Sequence, residues 1–252
     1  MVKSASRAID ILESLAADSQ GLSHASLADR LAIPRSSLTG LLDVLVARNF
    51  VEWDPATRHY FVGFAALRLG QSYLGGLDLV QCARPLLAQL SEEIGEACAL
   101  TVRRKNMILV VAKIDDPNPY RPSLSLQLGH TGPLYASASG KAMLATEGES
   151  AIAAYLTSID TMPTDPERKL DAQALRQDLE TAMDTGFGWS RGEMFEDIVA
   201  VGVAIRGSSE EVIAGISVSL PQERNTPELL MKIEVALKIC AQSLSVKMGA
   251  EI

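Results

Sequence analysis

Arg35, Ser36, Ser37 and Thr39 stand within five consecutive positions, and all are short or basic hydrogen-bond donors. That combination suits one chemistry, the reading of base edges and phosphates in a DNA major groove. The run they open continues Leu38-Thr39-Gly40-Leu41-Leu42-Asp43-Val44-Leu45-Val46. Leu38, Leu41, Leu42, Leu45 and Val46 recur at the spacing of one buried helical stripe, so the donors lead the opposite, solvent-facing side. A preceding helix, Ser23 to Leu31, is joined to it by the turn Ala32-Ile33-Pro34, and Ser23 and His24 at its start are further candidate contacts. Phe50 to Trp53 and Arg58 to Val62, separated by Asp54-Pro55-Ala56-Thr57, read as a hairpin. Its Arg58 and His59 suit the DNA backbone or the minor groove, and Arg7 suits a second positioning contact from an N-terminal arm.

These elements, with a first helix over roughly Ser4 to Asp18 whose inner side holds Ala8, Ile9, Leu12, Leu15 and Ala16, predict a winged helix-turn-helix over residues 1–63. Three helices and a hairpin also serve as a dimerisation or protein-docking module, so that alternative stands beside DNA binding.

The net charge of −8 needs dividing before it is held against a DNA binder. Residues 1–64 carry six basic and seven acidic side chains, which leaves −7 of the total for the remainder. The acidity therefore belongs to another module, and phosphate contacts must come from a few placed arginines and helix N-termini. At 252 residues and 47% hydrophobic content the chain suits two modest domains, each with its own core. Cys82, Cys98 and Cys240 are odd in number and set in apolar runs, which reads as buried thiols in a reducing compartment. His24, His59 and His130 lie too far apart in sequence to suggest a zinc site, and no metal or cofactor is expected. The apolar runs fall short of the roughly 20 residues that span a bilayer, and the N-terminal stretch lacks the apolar core of a signal peptide. A cytoplasmic protein with no membrane partner is expected.

Beyond the hairpin, residues 64–78 read as a helical linker able to pair with a copy of itself, with Leu67, Leu69, Tyr73 and Leu74 as its apolar side chains. Residues 79–252 mix helices and strands. Leu79 to Ile94 is a helix with Pro85 in an early turn, Ala99–Arg103 and Met107–Ala112 are a strand pair, and Leu124–Leu128 alternates as a third strand. Helices follow over Ser139–Ala145, Glu149–Leu156 and Asp171–Asp184. Val199–Arg206 and Val212–Leu220 form a last strand pair, and Thr226-Pro227 opens a terminal helix. The pattern is α+β, an antiparallel sheet with flanking helices, of the kind used in sensor domains.

No catalytic constellation emerges in this half. Gly140-Lys141 has Tyr135 where a phosphate loop needs Gly, and Ala142 has no hydroxyl for Mg²⁺. Ser137 and Ser139 miss the Ser-x-x-Lys spacing, and Glu193, Glu196 and Asp197 read as exposed loop acids, with Glu193, Met194 and Phe195 also read as a mobile lid over a bound ligand. Binding fits better than reaction. Pro133 to Lys141 sets small side chains and backbone N–H groups at a helix start, where the dipole favours an anion. Ser217 and Ser219 share one strand face by the two-residue period. The alternative is that the same small residues pack at a helix–sheet junction.

The chain as a whole resembles the IclR family of bacterial transcriptional regulators. The likeness rests on Ser6-Arg7-Ala8-Ile9-Asp10-Ile11-Leu12-Glu13, on Leu27-Ala28-x-x-Leu31-x-Ile33-Pro34-Arg35-Ser36-Ser37, and on Ala83-Arg84-Pro85. Its most specific stretch runs from Gly129-His130-Thr131-Gly132-Pro133 through Leu134-Tyr135-Ala136-Ser137-Ala138 to Ser139-Gly140-Lys141-Ala142, and Ile216-Ser217-Val218-Ser219 closes the pattern. The resemblance implies a homodimer or a dimer of dimers on a palindromic operator. It also implies a GAF-like effector-binding domain, behind the winged head, that holds a small organic acid. It maps the effector pocket onto Ala138, Ser139, Ser190, Ala200, Ser217 and Ser219, to which the helix-start reading adds Gly140. Gly40 departs from the arginine of many relatives, Ser190 from an aspartate, Ala200 from a cysteine and Ala204 from a proline. The competing readings are a docking adaptor and a small-molecule enzyme built on the second domain.

Overall fold

The computed structural model describes residues 2–75, 78–118, 127–159 and 171–250. The chain divides into two compact units, Met1–Gly76 and Leu77–Ile252.

The first unit comprises α1 (Lys3–Ala16), α2 (His24–Arg30), α3 (Arg35–Ala47), β1 (Val51–Asp54), β2 (His59–Val62) and α4 (Phe64–Gly75). Leu38, Leu42 and Leu45 of α3 meet Leu27 of α2 and Ile11 and Leu15 of α1 in one buried cluster, with Leu41 and Val46 half-buried at its edge. The inner face of α1 differs from expectation. Ile11 is sealed and Ile9 is 56% exposed, because the packed positions are Ile11, Ser14 and Leu15 rather than the competing stripe through Ile9 and Ala16. β1 and β2 pair antiparallel from Val51 opposite Val62 to Asp54 opposite His59. Leu22 ties this hairpin back to the start of α2: its N–H donates to the Tyr60 carbonyl at 3.0 Å and its carbonyl accepts from the Tyr60 N–H at 2.8 Å.

The second unit begins with α5 (Asp78–Ile94), which carries Pro85 in its interior, and continues through β3 (Ala97–Arg104), β4 (Met107–Ile114) and β5 (Thr131–Pro133). A 3₁₀ turn at Leu134–Ala136 leads into α6 (Ala138–Thr146), α7 (Glu149–Ile159) and α8 (Ala172–Thr185). Then come β6 (Gly188–Arg191), β7 (Ile198–Arg206), β8 (Val212–Pro221), a second 3₁₀ turn at Gln222–Arg224 and α9 (Pro227–Lys247). The six strands form one antiparallel sheet in the order β5-β4-β3-β8-β7-β6. Of the strand expected at Leu124–Leu128, residues 124–126 lie outside the described residues; the strand found beside β4 is β5. The edge strand β6 was not foreseen, being four residues long and opened by a glycine.

Both faces of the sheet are covered, so Ala214 to Leu220 of β8 are buried without a break. α5 and α9 pack on one another and on the sheet, while α6 lies across β6, β7 and β8 and against α8. What lets α6 come so close is a shelf of glycines. A Cβ on Gly188 would sit 2.2 Å from the Ala138 carbonyl oxygen, one on Gly202 would sit 2.4 Å from the Ser139 nitrogen, and one on Gly215 would sit 2.8 Å from the Ser139 Cβ. The N-terminal turn of α6 therefore rests on bare backbone.

Candidate functional site

In the first unit α3 starts directly after Pro34, with no side-chain cap and no acidic residue in its first turn. Its first N–H groups carry a partial positive charge. Arg35, Ser36, Ser37 and Thr39 are all exposed there. Thr39 donates its hydroxyl to the Arg35 carbonyl at 3.0 Å, which leaves its oxygen to accept from His24 Nε2, also at 3.0 Å. Ser23 caps α2 by accepting from the Ser26 N–H at 3.1 Å. Ser23, His24 and Thr39 thus hold the two helices in place as well as lying near the exposed turn.

Arg58 stands exposed at the hairpin tip with a left-handed φ of 56°. The turn before it is held by Asp54, whose carboxylate accepts from the Ala56 N–H at 2.9 Å and the Thr57 hydroxyl at 2.8 Å. The Ala56 bond foremost, then the Thr57 hydroxyl, keeps the Asp54 carboxyl below the usual aspartate range. Trp53 and Tyr60 stack across the hairpin with ring centroids 4.5 Å apart, and half-buried His59 opens β2. Arg7, expected on an arm, lies half-buried inside α1 instead.

In the second unit the part of the sheet that α6 does not cover floors a small pocket. Ser190, Ala200 and Ser219 lie in direct register across β6, β7 and β8, and Ser217 sits two residues along the same face of β8. These four residues, with Ala138 at the start of α6, line the cavity. All three serines are buried, yet their hydroxyls form no hydrogen bond among the described residues. Their oxygens are not among the buried atoms that lack a partner, so the three hydroxyls open onto the pocket, where they are available to hydrogen-bond a polar guest.

Two expected pocket residues are placed differently. Ser139 is sealed, its hydroxyl accepting from Thr101 at 2.8 Å and lying 3.0 Å from that of Ser137. Gly140 is packed against the 3₁₀ turn, where a Cβ would meet the Leu134 carbonyl at 2.5 Å. Neither lines the cavity, because Ser139 rests on the glycine shelf and Gly140 packs on the Leu134 turn. The sequence reading also missed lining residues: Thr101 and Ser137 add hydroxyls, and Ile108 and Ile198 join Met194 and Phe195 as the apolar wall. Thr101 shares its strand face with Ala97 and Ala99, and that small-residue alternation in β3 was the available signal.

Glu193, read as an exposed loop acid, is corrected by the structure. It is half-buried and ion-paired with Lys141, which Asp178 of α8 also reaches. Burial alone would push the Glu193 carboxyl up, but the hydrogen bond and charge of Lys141 outweigh it and hold the group below the usual glutamate range. Glu196 and Asp197 are exposed as expected. Cys98 and Cys240 are buried and burial raises both thiols, Cys240 to about 11, so neither is a nucleophile at neutral pH.

Residues 4–55 match the IclR helix-turn-helix domain and residues 71–246 match the C-terminal domain of the bacterial transcriptional regulator IclR. The chain belongs to the IclR family. The HTH-type transcriptional regulator Rv1719 of Mycobacterium tuberculosis is 31% identical over 218 residues, 86% of this chain and 82% of that one. The crystal structure of the Thermotoga maritima IclR superposes with a TM-score of 0.83 at 23% identity, covering 99% of this chain and 100% of the other. An IclR homolog from Microbacterium hydrocarbonoxydans, solved in complex with 4-hydroxybenzoate, superposes at 0.75 with 22% identity over 97% and 100% of the two chains. This IclR-family chain is therefore a DNA-binding transcriptional regulator and not an enzyme. The docking-adaptor alternative is not favoured either. Among the described residues no helix is long and apolar enough to cross a membrane.

Proposed function

We propose that this regulator binds a palindromic operator as a homodimer or dimer of dimers in the cytoplasm, and that a small organic acid in the second unit controls that binding. Arg35, Ser36, Ser37 and Thr39 enter the major groove at the α3 N-terminus, with Ser23 and His24 beside them. Arg58, His59 and Arg7 contact the DNA backbone. Two such heads reach successive grooves, about 10 bp or a multiple apart. The single observation that carries the effector reading is the set of unpartnered hydroxyls of Ser190, Ser217 and Ser219 on the cavity floor. The acid's oxygens take those hydroxyls near the α6 N-terminus at Ala138, and Ala200 leaves room for its carbon body below Met194 and Phe195. The 4-hydroxybenzoate in the Microbacterium homolog supports a ligand of this class. Coupling between two such sites is typically worth about 1–3 kcal/mol.

Thermal unfolding against a panel of small aliphatic and aromatic carboxylic acids, 4-hydroxybenzoate among them, tests this. An acid at about a hundred times its dissociation constant adds about 2.7 kcal/mol of stability. That gain is expected in the wild type and largely absent in Ser217→Val. Equal stabilisation of both proteins would place the site elsewhere.

Self-association is expected through exposed apolar side chains of the first unit, Ile9 on α1 and Phe64, Leu67 and Leu69 on α4. The side chains of Tyr73 and Leu74, read with them in the sequence, lie outside the described residues. Light scattering at micromolar concentration should give a multiple of the 27.0 kDa chain. A monomer mass there would remove the homodimer from the account.

A further inference from the structure

Lys141 is the one charged side chain of α6, and it is 2% exposed. A lone ammonium in such a place is costly unless carboxylates meet it. Two do, from different elements. Asp178 belongs to α8, and Glu193 belongs to the strap between β6 and β7. That strap also carries Met194 and Phe195, which wall the cavity beside the serine floor. Either carboxylate is enough to neutralise the lysine, so the triad holds one more negative charge than its burial requires.

Within the strap the Glu193 carboxylate also accepts the Arg191 N–H, and other contacts hold the residues around it. Gly192, with a φ of 95°, begins it and donates its N–H to the Ile198 carbonyl at 3.1 Å. Met194 lies over Gly132, where a Cβ would come within 2.7 Å of the Met194 Cε, and the Phe195 ring centroid is 6.0 Å from that of His130. At the far end the Gln222 N–H donates to the Asp197 carbonyl at 2.8 Å. Glu193 is therefore a charged anchor within a short span whose two ends, and whose Phe195 carbonyl, are held by backbone hydrogen bonds.

We propose that Lys141 is a positioning residue for the cavity wall: it latches Glu193, and that latch can open without stranding the lysine because Asp178 stays on it. Opening sends the Glu193 carboxylate to water, lifts Met194 and Phe195 from the serine floor and admits the guest. Asp178 and Glu193 thus have unequal roles although both pair with the same ammonium. Glu193 holds the strap, and Asp178 makes its release affordable. The proposal rests on the reading of this cavity as the effector site, but its test uses no effector, so the two can fail separately.

The test is the alkylation rate, by iodoacetamide with peptide-resolved mass spectrometry, of the thiol introduced by Ser217→Cys on the cavity floor. Buried Cys98 reports global unfolding in the same digest. In this background Glu193→Gln is expected to speed alkylation of the introduced thiol by roughly tenfold, the loss of one partly buried ion pair, with Cys98 unchanged. Asp178→Asn is expected to leave the rate unchanged or lower it, because Lys141 then depends on Glu193 alone. A purely structural triad would make the two variants alike. Equal acceleration in both, no acceleration in Glu193→Gln, or acceleration that Cys98 shares would overturn the latch. Ser219→Cys reports on the same floor if Ser217→Cys does not fold.

Discussion

Arg35→Ala is expected to weaken operator binding by about 1–3 kcal/mol if the guanidinium reads a base edge. Arg35 is exposed at an uncapped helix start, so its loss leaves no buried partner unsatisfied and the fold should not change. Titration of the DNA upstream of its own gene, by fluorescence anisotropy at several salt concentrations, separates the two roles open to this side chain. A base contact costs affinity for the operator and spares random DNA. A phosphate contact lowers both and reduces the salt slope by about one. Arg58→Ala and Arg7→Ala give the comparison, since backbone contacts carry no sequence information and should weaken both DNAs by similar factors. Unchanged affinity and slope in folded Arg35→Ala would take it out of the interface.

Gly202→Val should destabilise the second unit by about 1–3 kcal/mol or more, the usual cost of overpacking a close-packed site. What a side chain meets at Gly202 is backbone, the Ser139 nitrogen at 2.4 Å and the Ala138 carbonyl carbon at 2.6 Å. Neither can swing aside as the end of a long side chain would. Relief requires α6 to rise off the sheet, and that disturbs Ala138 and Ser137 at the cavity rim together with the Thr101–Ser139 hydrogen bond. Urea unfolding should show an earlier transition for the second unit and the effector response should fall with it. Gly40→Ala is the contrast. It sits on the exposed side of α3 with nothing within 4 Å of the added carbon, and it should stabilise the first unit by up to about 1 kcal/mol through helix propensity. A Gly202→Val protein as stable as the wild type would show that α6 does not depend on the shelf.

The DNA-reading head was legible because local rules suffice for it. The stripe through Leu38, Leu42 and Leu45, the turn at Ala32-Ile33-Pro34 and the Asp54 to Thr57 hairpin turn are each written within a dozen residues. Where two local stripes competed, in α1, periodicity alone favoured Ile9 and tertiary packing chose Ile11. The strand pairs of the second unit and the α9 cap at Thr226 were legible for the same reason as the head.

The cavity shows the other case. That Ser217 and Ser219 share a face follows from the two-residue period of a strand, a property of the chain by itself. That Ser190 and Ala200 stand in line with Ser219, while Thr101 comes in from β3, depends on sheet order and register between segments as far apart in sequence as Ala97 and Ser219. Ser139 looked like a ligand contact from its position at a helix start, but the approach of α6 to Gly202 and Gly215 turned its hydroxyl into packing. Lys141 and Glu193 lie 52 residues apart, and nothing in either neighbourhood foretells their pairing. The sequence by itself determined most of the helices and strands, the Thr226 cap and the exposed donors at the start of α3, because those follow from spacing within one element. Only the tertiary structure decided which hydroxyls remain unpartnered and which charges meet, because burial and close approach belong to segments brought together by the fold.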